Sequence, residues 1–495
     1  MTVGHCQHSL INEVAARAFD RPEAVALVLP NGREIGYGEM YATVRELAGR
    51  LTDHGVRPAD HVAVVSTCDE TAIFGLLAVA SVGAAYVPID VAQPQARLRR
   101  MLDIAGVHTV ITRDEDTGST RVDAVRPTQP PLTKHHEDSA AYLIFTSGST
   151  GDPKPVVVSR GALFEHVRAA CDLFDLDKSA VSLQFASPGF DVAQEEIWCT
   201  LVAGGRLVLR GDRVWPLAEL VTLINRHHIT HCQLPTAYWT HLVSEMDEWS
   251  TGEVPPSLRV VIIGSEPADR TIAQRYLDSA FGSIRLINAY GPTEAVITAT
   301  AWDSRRRDPV GDGPYLPIGR ALPGRVAHVL DEGKRPAPAG TIGELHLSGT
   351  CIANGYATGS PDTKATFTRL ADGTPAVRTG DMVRADGDGV LHFVGRQDNQ
   401  VKVAGVRIEL GEVDAALRDH RGIASAAVTI AGQANTAHLV AHVVPRMTDT
   451  VALTEEDVRQ HLLQRLPRNM VPHVIRFCER LPVTVNGKLD RRASS

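Results

Sequence analysis

Through the first three quarters of the chain, short β-rich runs alternate with segments of helical length, and this alternation limits the possible fold more than any other feature. The runs Val62–Ser66, Ala84–Ile89, Val107–Ile111, Ser182–Gln184, Leu207–Leu209, Ile229–Leu234, Val260–Ile263 and Arg285–Ile287 read as strands. Helical stretches such as Ala72–Val82 and Glu195–Leu201 lie between them. Repeated strand–helix–strand units stack as α/β layers with right-handed crossovers. After about Pro317 the strands (Val326–Leu330, Gly343–Ser348, Val390–Val394) follow one another closely across Gly-rich turns, which predicts a β-rich subdomain. From Gly395 onward a separate series (Glu412–Asp419, Ala424–Ile430, Ala437–Val444, Glu455–Leu466) suffices for a small α+β domain. The expected boundary falls near Arg396–Asp398, giving domains 1–395 and 396–495. A chain of 495 residues exceeds the roughly 250–300 at which one core stops growing, so several cores are required.

Composition removes other classes. A content of 43% hydrophobic and 22% charged residues is ordinary globular usage, so disorder is not expected. The net charge of −8, with both signs interspersed, offers no basic stripe for nucleic acid and no Lys/Arg block for an anionic membrane. Seven scattered cysteines form no C-x-x-C pair, and the start MTVGHCQHSL has no signal-peptide pattern, so a reducing cytoplasm is expected. The uncharged stretch from Thr71 to Ile89 is long enough for a membrane span, but Ser81, Gly83 and Pro88 divide it into a core helix and a buried strand. His227, His228, His231 and Cys232 straddle a helix end and a strand, a poor layout for a metal. His135-His136 reads as loop.

The chemistry starts at Tyr142-Leu-Ile-Phe-Thr-Ser-Gly-Ser-Thr-Gly-Asp-Pro-Lys154, an apolar strand opening into a Gly/Ser/Thr loop that ends in a lysine. Glycines admit phosphate oxygens to the backbone, hydroxyls donate to them, and the lysine supplies a mobile cation. The spacing is not that of a Walker A loop. Further motifs are Asn288-Ala-Tyr-Gly-Pro-Thr-Glu294, Gly343-Glu-Leu-His-Leu-Ser-Gly349 and Arg378-Thr-Gly-Asp381. They are followed by Gly395-Arg-Gln-Asp-Asn-Gln-Val-Lys402, Gly405-Val-Arg-Ile-Glu-Leu-Gly-Glu412 and Asn486-Gly-Lys-Leu-Asp490. Together, in this order, they resemble the ANL superfamily of adenylate-forming enzymes, and within it the amino-acid adenylation domains of non-ribosomal peptide synthesis.

The resemblance implies an ATP- and magnesium-dependent ligase with a mobile C-terminal domain, acting in natural-product and antibiotic biosynthesis. Thr146, Ser147, Gly148, Ser149, Thr150, Gly151 and Lys154 would wrap the β- and γ-phosphates. Tyr290 would stack on adenine, with Gly264, Ser265, Asn288, Ala289 and Gly291 beside it. Thr293 would touch phosphate and Glu294 would hold magnesium. Asp381 would accept the ribose hydroxyls, with Arg396 and Phe393 nearby. Lys488 would be the catalytic lysine, stabilising charge as the substrate carboxylate attacks the α-phosphorus. Asp398 would be the hinge that exchanges Lys488 for the Gly405–Ile408 segment. Two departures stand out: Pro155 follows Lys154 where glycine is usual, and Phe393 stands where tyrosine is common.

Phe190-Asp191 resembles the signature in which the aspartate pairs with a substrate α-ammonium, and α- and β-amino acids both satisfy it. Motif alignment gives the other pocket walls as Val192, Glu195, Ala237, Val261, Ile263, Ala289, Ile297 and Thr298. With nothing else in that set to neutralise it, an inward-facing Glu195 would select a diamino acid; a solvent-facing Glu195, or an alignment shifted by one residue, would remove that preference. Only seven residues follow Lys488 and no phosphopantetheine attachment motif is present, so the acceptor thiol is expected on a carrier protein in trans. An MbtH-like protein is a further candidate partner, and a monomer is the default assembly. The rivals are an acyl- or aryl-coenzyme A ligase of the same superfamily and a non-catalytic nucleotide-binding protein.

Overall fold

The computed structural model describes residues 9–114, 116–126, 140–148, 152–245, 254–306, 310–357, 361–397, 400–403, 405–432, 437–446, 453–479 and 481. Two large sheets of mixed parallel and antiparallel strands dominate it. The nine-stranded sheet has the order Arg320–Ala321, Thr300–Asp303, Arg285–Tyr290, Val260–Gly264, His231–Pro235, Val181–Gln184, Arg206–Leu209, Val25–Val28, Glu34–Gly36. The seven-stranded sheet runs Gly355–Tyr356, Lys154–Ser159, Ala140–Thr146, Ala85–Asp90, His61–Ser66, Thr109–Arg113, Thr120–Ala124.

Helices fill the space between the sheets. Apolar side chains of Tyr37–Asp53, Glu70–Ser81, Arg160–Phe174 and Asp191–Ala203 share one core with both sheets, which reach them through residues such as Ile262, Ile287, Tyr86 and Tyr142. A second core covers the far face of the nine-stranded sheet, where Trp239 and Tyr276 lie under Leu217–His227, Thr236–Glu245 and Arg270–Asp278. This is the layered α/β arrangement that the alternation predicts.

The uncharged stretch resolves as expected. Asp69 caps Glu70–Ser81 by accepting from the Thr71 and Ala72 amides at 2.9 and 3.4 Å, and the chain then turns into Ala85–Asp90. Gly75 lets this helix lie on the sheet, since a Cβ there would come 2.8 Å from Val64 Cγ1. Among the described residues no helix is long and apolar enough to cross a membrane.

The β-rich part is an antiparallel sheet of Arg325–Leu330, Ile342–Gly349, Pro375–Ala385 and Phe367–Arg369, with Leu391–Arg396 paired to Pro375–Ala385. Beyond it the hairpin Gln400–Val403/Val406–Glu409 leads into a three-stranded sheet (Ile423–Ala431, His438–Pro445, Val474–Phe477) with helices Leu410–Arg418 and Glu455–Leu463. These elements share their own core, running from Val403 to Ile475.

Candidate active site

Ligands of open α/β sheets collect at the carboxyl ends of the strands, and here four adjacent parallel strands deliver the motif residues to one edge. Val181–Gln184 leads to Asp191, His231–Pro235 to Ala237, Val260–Gly264 ends at Gly264–Ser265, and Arg285–Tyr290 leads to Gly291–Glu294. The last turn is tightly specified. A Cβ on Gly291 would lie 1.8 Å from the Ile297 carbonyl oxygen, so only glycine fits. Val296 and Ile297 hold φ of 60° and 66°, a left-handed conformation that β-branched residues rarely adopt. Arg325 braces this turn by donating to the Ala295 and Val296 carbonyls at 3.2 and 2.7 Å.

On the nucleotide side, Thr146 and Lys154 are paired across the two strands that carry the Gly/Ser/Thr loop. Lys154 is buried, with its ammonium 5.8 Å from the centre of the Tyr356 ring. A Cβ on Gly148 would lie 1.8 Å from the Asp152 carbonyl oxygen, which explains the glycine. Pro155 keeps its place opposite Phe145 in the hairpin, and its carbonyl accepts from the Ala357 amide at 2.9 Å. Asp381 is clamped: Tyr290 Oη donates to one oxygen at 2.5 Å and Arg396 Nη1 to the other at 2.6 Å. Burial and then the Asp381 charge push the Tyr290 phenol well above its ordinary range, so it stays a donor. Phe393 packs against Tyr315 with ring centres 6.0 Å apart. Ser149, Thr150, Gly151, Asp398 and Lys488 lie outside the described residues.

Two nucleotide-side residues have partners within the chain. Asn288 is buried and its amide donates to the Pro317 carbonyl at 2.9 Å, which ties its strand to the neighbouring segment. Thr293 lies near enough to Asp191 for its hydroxyl to favour the ionised carboxylate.

Glu294, 1% exposed, accepts from Tyr356 Oη at 2.6 Å and pairs with Arg407 Nη1 at 2.8 Å. Burial alone would raise its pKa, but the Arg407 charge and the tyrosine hydroxyl outweigh this and hold it below the usual range. The Val406–Glu409 strand lies against the loop of Ser147 and Gly148. Ser147 Oγ donates to the Arg407 carbonyl and accepts from the Glu409 amide, both at 3.1 Å. Gly148 N donates to Glu412 Oε2 at 3.1 Å, and Arg97 pairs with Glu412 Oε1. The Gly405 amide donates to Glu266 at 2.6 Å. An ionised, buried carboxylate suits a hard divalent cation. Arg407 occupies one Glu294 oxygen here, so a magnesium ion and Arg407 would take that position in turn.

Asp191 and Glu195 share one face of the helix Asp191–Ala203, one turn apart. Asp191 is half-buried, and burial first, then the charges of Glu195 and Glu294, push its pKa up to about 6 against the Thr293 hydrogen bond. Glu195 is 1% exposed, which rules out the solvent-facing orientation. Its Oε1 accepts from Gln233 Nε2 and from Thr298 Oγ1 at 3.2 Å, while its Oε2 lies 2.8 Å from His166 Nε2 at a bent angle. His166 Nδ1 in turn receives Arg325 Nη2 at 2.8 Å. The premise that nothing neutralises Glu195 is therefore corrected. His166 did carry a signal: it is a polar residue on the buried face of Arg160–Phe174, beside Leu163, Val167 and Ala170. Arg325 carried none.

The wall assignment also needs correction. Val261 and Ile263 pack with Leu183 and Trp239 on the far face of the nine-stranded sheet, while Ile262 faces the Asp191–Ala203 side. Strand side chains alternate, so the residue one place along is the one on the pocket side. Ala237 and Val192 are half-buried in first turns of helices, and Ile297 lies in the left-handed turn.

The family model described as AMP-binding enzyme matches residues 14–357, and that of the AMP-binding enzyme C-terminal domain matches 412–488. The chain belongs to the AMP-binding enzyme family. Within that family its likeness is to adenylation domains of the non-ribosomal peptide synthetase type. It is 38% identical to an isonitrile lipopeptide synthase of Streptomyces coeruleorubidus over 97% of its own length and spans 33% of that relative. A solved non-ribosomal peptide synthetase protein with adenylation and PCP domains, PA1221, is similar at 25% identity and TM-score 0.81, covering 98% of this chain and 83% of that one. The o-succinylbenzoate CoA synthetase of Bacillus subtilis shares the fold at 19% identity and TM-score 0.81, with 97% of each chain covered.

Proposed function

We propose that this adenylation domain activates an amino acid with ATP and passes the acyl group to the phosphopantetheine thiol of a separate carrier protein. In the first step a carboxylate oxygen of the amino acid bonds to the α-phosphorus as the bond to pyrophosphate breaks, giving aminoacyl-AMP. In the second the thiol attacks the acyl carbon, AMP leaves, and the thiol proton is released to solvent. The observation that carries the choice of an amino acid is Asp191. The groups acting on it are a hydroxyl, a backbone amide and two further carboxylates, and its raised pKa reflects that environment. A substrate ammonium would supply the missing positive charge, while a plain acid would add a further negative one.

The remaining residues hold the reactants in line. Lys154 and the amides of the Ser147–Gly148 loop would receive the phosphates, and the Tyr290–Arg396 clamp fixes Asp381 for the ribose hydroxyls. Bound at Glu294, magnesium would supply charge neutralisation of the phosphates. Lys488 would then offset the charge brought together at the α-phosphorus. Withdrawal of Lys488 and docking of Gly405–Ile408, about a hinge at Asp398, would separate the two half-reactions.

The test is amino-acid-dependent ATP–pyrophosphate exchange across α-, β- and diamino acids and their des-amino analogues, with Lys488→Ala as control. Exchange with amino acids, reduced about 10²- to 10³-fold in Lys488→Ala, is expected. Exchange with des-amino acids alone would favour the coenzyme A ligase reading and remove the role given to Asp191.

A further inference from the structure

Arg325 and His166 lie behind the pocket, on the strand Arg325–Leu330 and the helix Arg160–Phe174, and both are buried. A guanidinium can only donate, so Arg325 Nη2 at 2.8 Å makes His166 Nδ1 an acceptor. The single ring proton then sits on Nε2, which faces Glu195 Oε2 at 2.8 Å. A second proton would point at the guanidinium, so His166 is neutral. Burial, with Arg325 adding to it, lowers the pKa of His166 in agreement. The chain Arg325–His166–Glu195 carries one positive and one negative charge; Gln233 and Thr298 donate to Glu195 Oε1, and His166 Nε2 lies 2.8 Å from Oε2.

Resting on the reading of this site as an amino-acid pocket, we infer that Arg325 and His166 are positioning residues that compensate Glu195, so that the enzyme selects an amino acid with an uncharged side chain. A second ammonium beside this chain would be a buried cation in excess, because the single charge of Glu195 is already balanced by Arg325 across His166. An uncharged side chain leaves the balance intact. The residues that touch the substrate do not reveal this. Read without Arg325, Glu195 selects a diamino acid.

The experiment is the exchange assay on the full chain with alanine, valine, threonine, 2,4-diaminobutyrate, ornithine and lysine, for the wild type, Arg325→Met, Arg325→Lys and Glu195→Gln. The wild type is expected to use the uncharged set. Arg325→Met is expected to shift the ratio of kcat/KM towards a diamino acid by about tenfold or more, and Arg325→Lys to restore the original ratio. Loss of all substrates in proportion in a folded Arg325→Met would assign Arg325 a bracing role only and overturn the inference. If Arg325→Met does not fold, the wild type and Glu195→Gln decide, since Glu195→Gln leaves Arg325 on its carbonyls. Wild-type exchange with a diamino acid that Glu195→Gln abolishes overturns the inference, and an uncharged preference that survives Glu195→Gln supports it. No exchange with any amino acid would sink the proposed function, and this inference with it, whereas diamino exchange sinks this inference alone.

Discussion

Glu195 and Glu294 are both 1% exposed and both answered by an arginine, but the two arginines differ in origin. Arg325 starts a strand of the β-rich sheet, donates to two carbonyls of the neighbouring turn and reaches Glu195 through His166. Arg407 comes from the C-terminal hairpin, keeps 26% of its side chain exposed, and touches Glu294 directly. A counter-charge built into the body sets a fixed property of the pocket, while one delivered by a separately cored unit would be exchanged if that unit moves as proposed. The first arrangement suits selection and the second suits switching between half-reactions.

Stability is the largest way to break this contrast. Arg325→Met strands a buried carboxylate and frees two carbonyls, and is expected to cost about 3–5 kcal/mol. Arg407→Ala leaves Glu294 its Tyr356 hydrogen bond and lets water in, and is expected to cost about 1 kcal/mol or less. Guanidinium unfolding followed by tryptophan emission measures both, because all five tryptophans precede Asp303 and report on the body. Equal costs would show that Arg407 is as built-in as Arg325.

A smaller effect sharpens the comparison kinetically. Arg407→Ala is expected to slow thiol transfer by about thirtyfold, equivalent to roughly 2 kcal/mol of lost docking, with ATP–pyrophosphate exchange changed by less than about threefold. Equal losses in both half-reactions would place Arg407 in adenylation itself.

The contrast also marks what the sequence discloses. The glycine turns at Gly148 and Gly291 and the helix of the uncharged stretch from Thr71 to Ile89 are legible because their determinants are local: a turn needs its glycine, and a core helix its apolar run, within a few residues. His166 and Arg325 are 159 positions apart and meet only through packing of a helix against the β-rich sheet, so no local pattern joins them. Val261 and Ile263 were misplaced for a related reason, since strand parity depends on register and one residue of shift reverses every side chain. Asn288 has a motif position but a structural partner in Pro317, supplied by a segment whose proximity the sequence does not show.

Asp191 is the third buried-site carboxylate and completes the comparison, because neither arginine compensates it. Arg407 holds Glu294 below the usual range, whereas burial and two neighbouring carboxylates raise Asp191 to about 6 from an ordinary 3.8. The folded protein without substrate therefore holds a proton on Asp191 between about pH 4 and 6 that the unfolded chain releases, so this group's contribution to stability falls as pH rises through that window. Substrate binding runs the other way. An ammonium pairs with the ionised form, so amino-acid-dependent kcat/KM should be level above about pH 6 and fall about tenfold for each unit below it. Asp191→Asn, which has no carboxylate to titrate, should be weaker throughout and lack this limb. Exchange measured from pH 5 to 8 on both proteins checks the expectation, and subtracting the variant's profile removes the titration of the nucleotide phosphates. A profile that stays level down to pH 5 would mean that Asp191 has a cation beside it after all, as Glu294 does. A limb shared by both proteins would move the titration to another group.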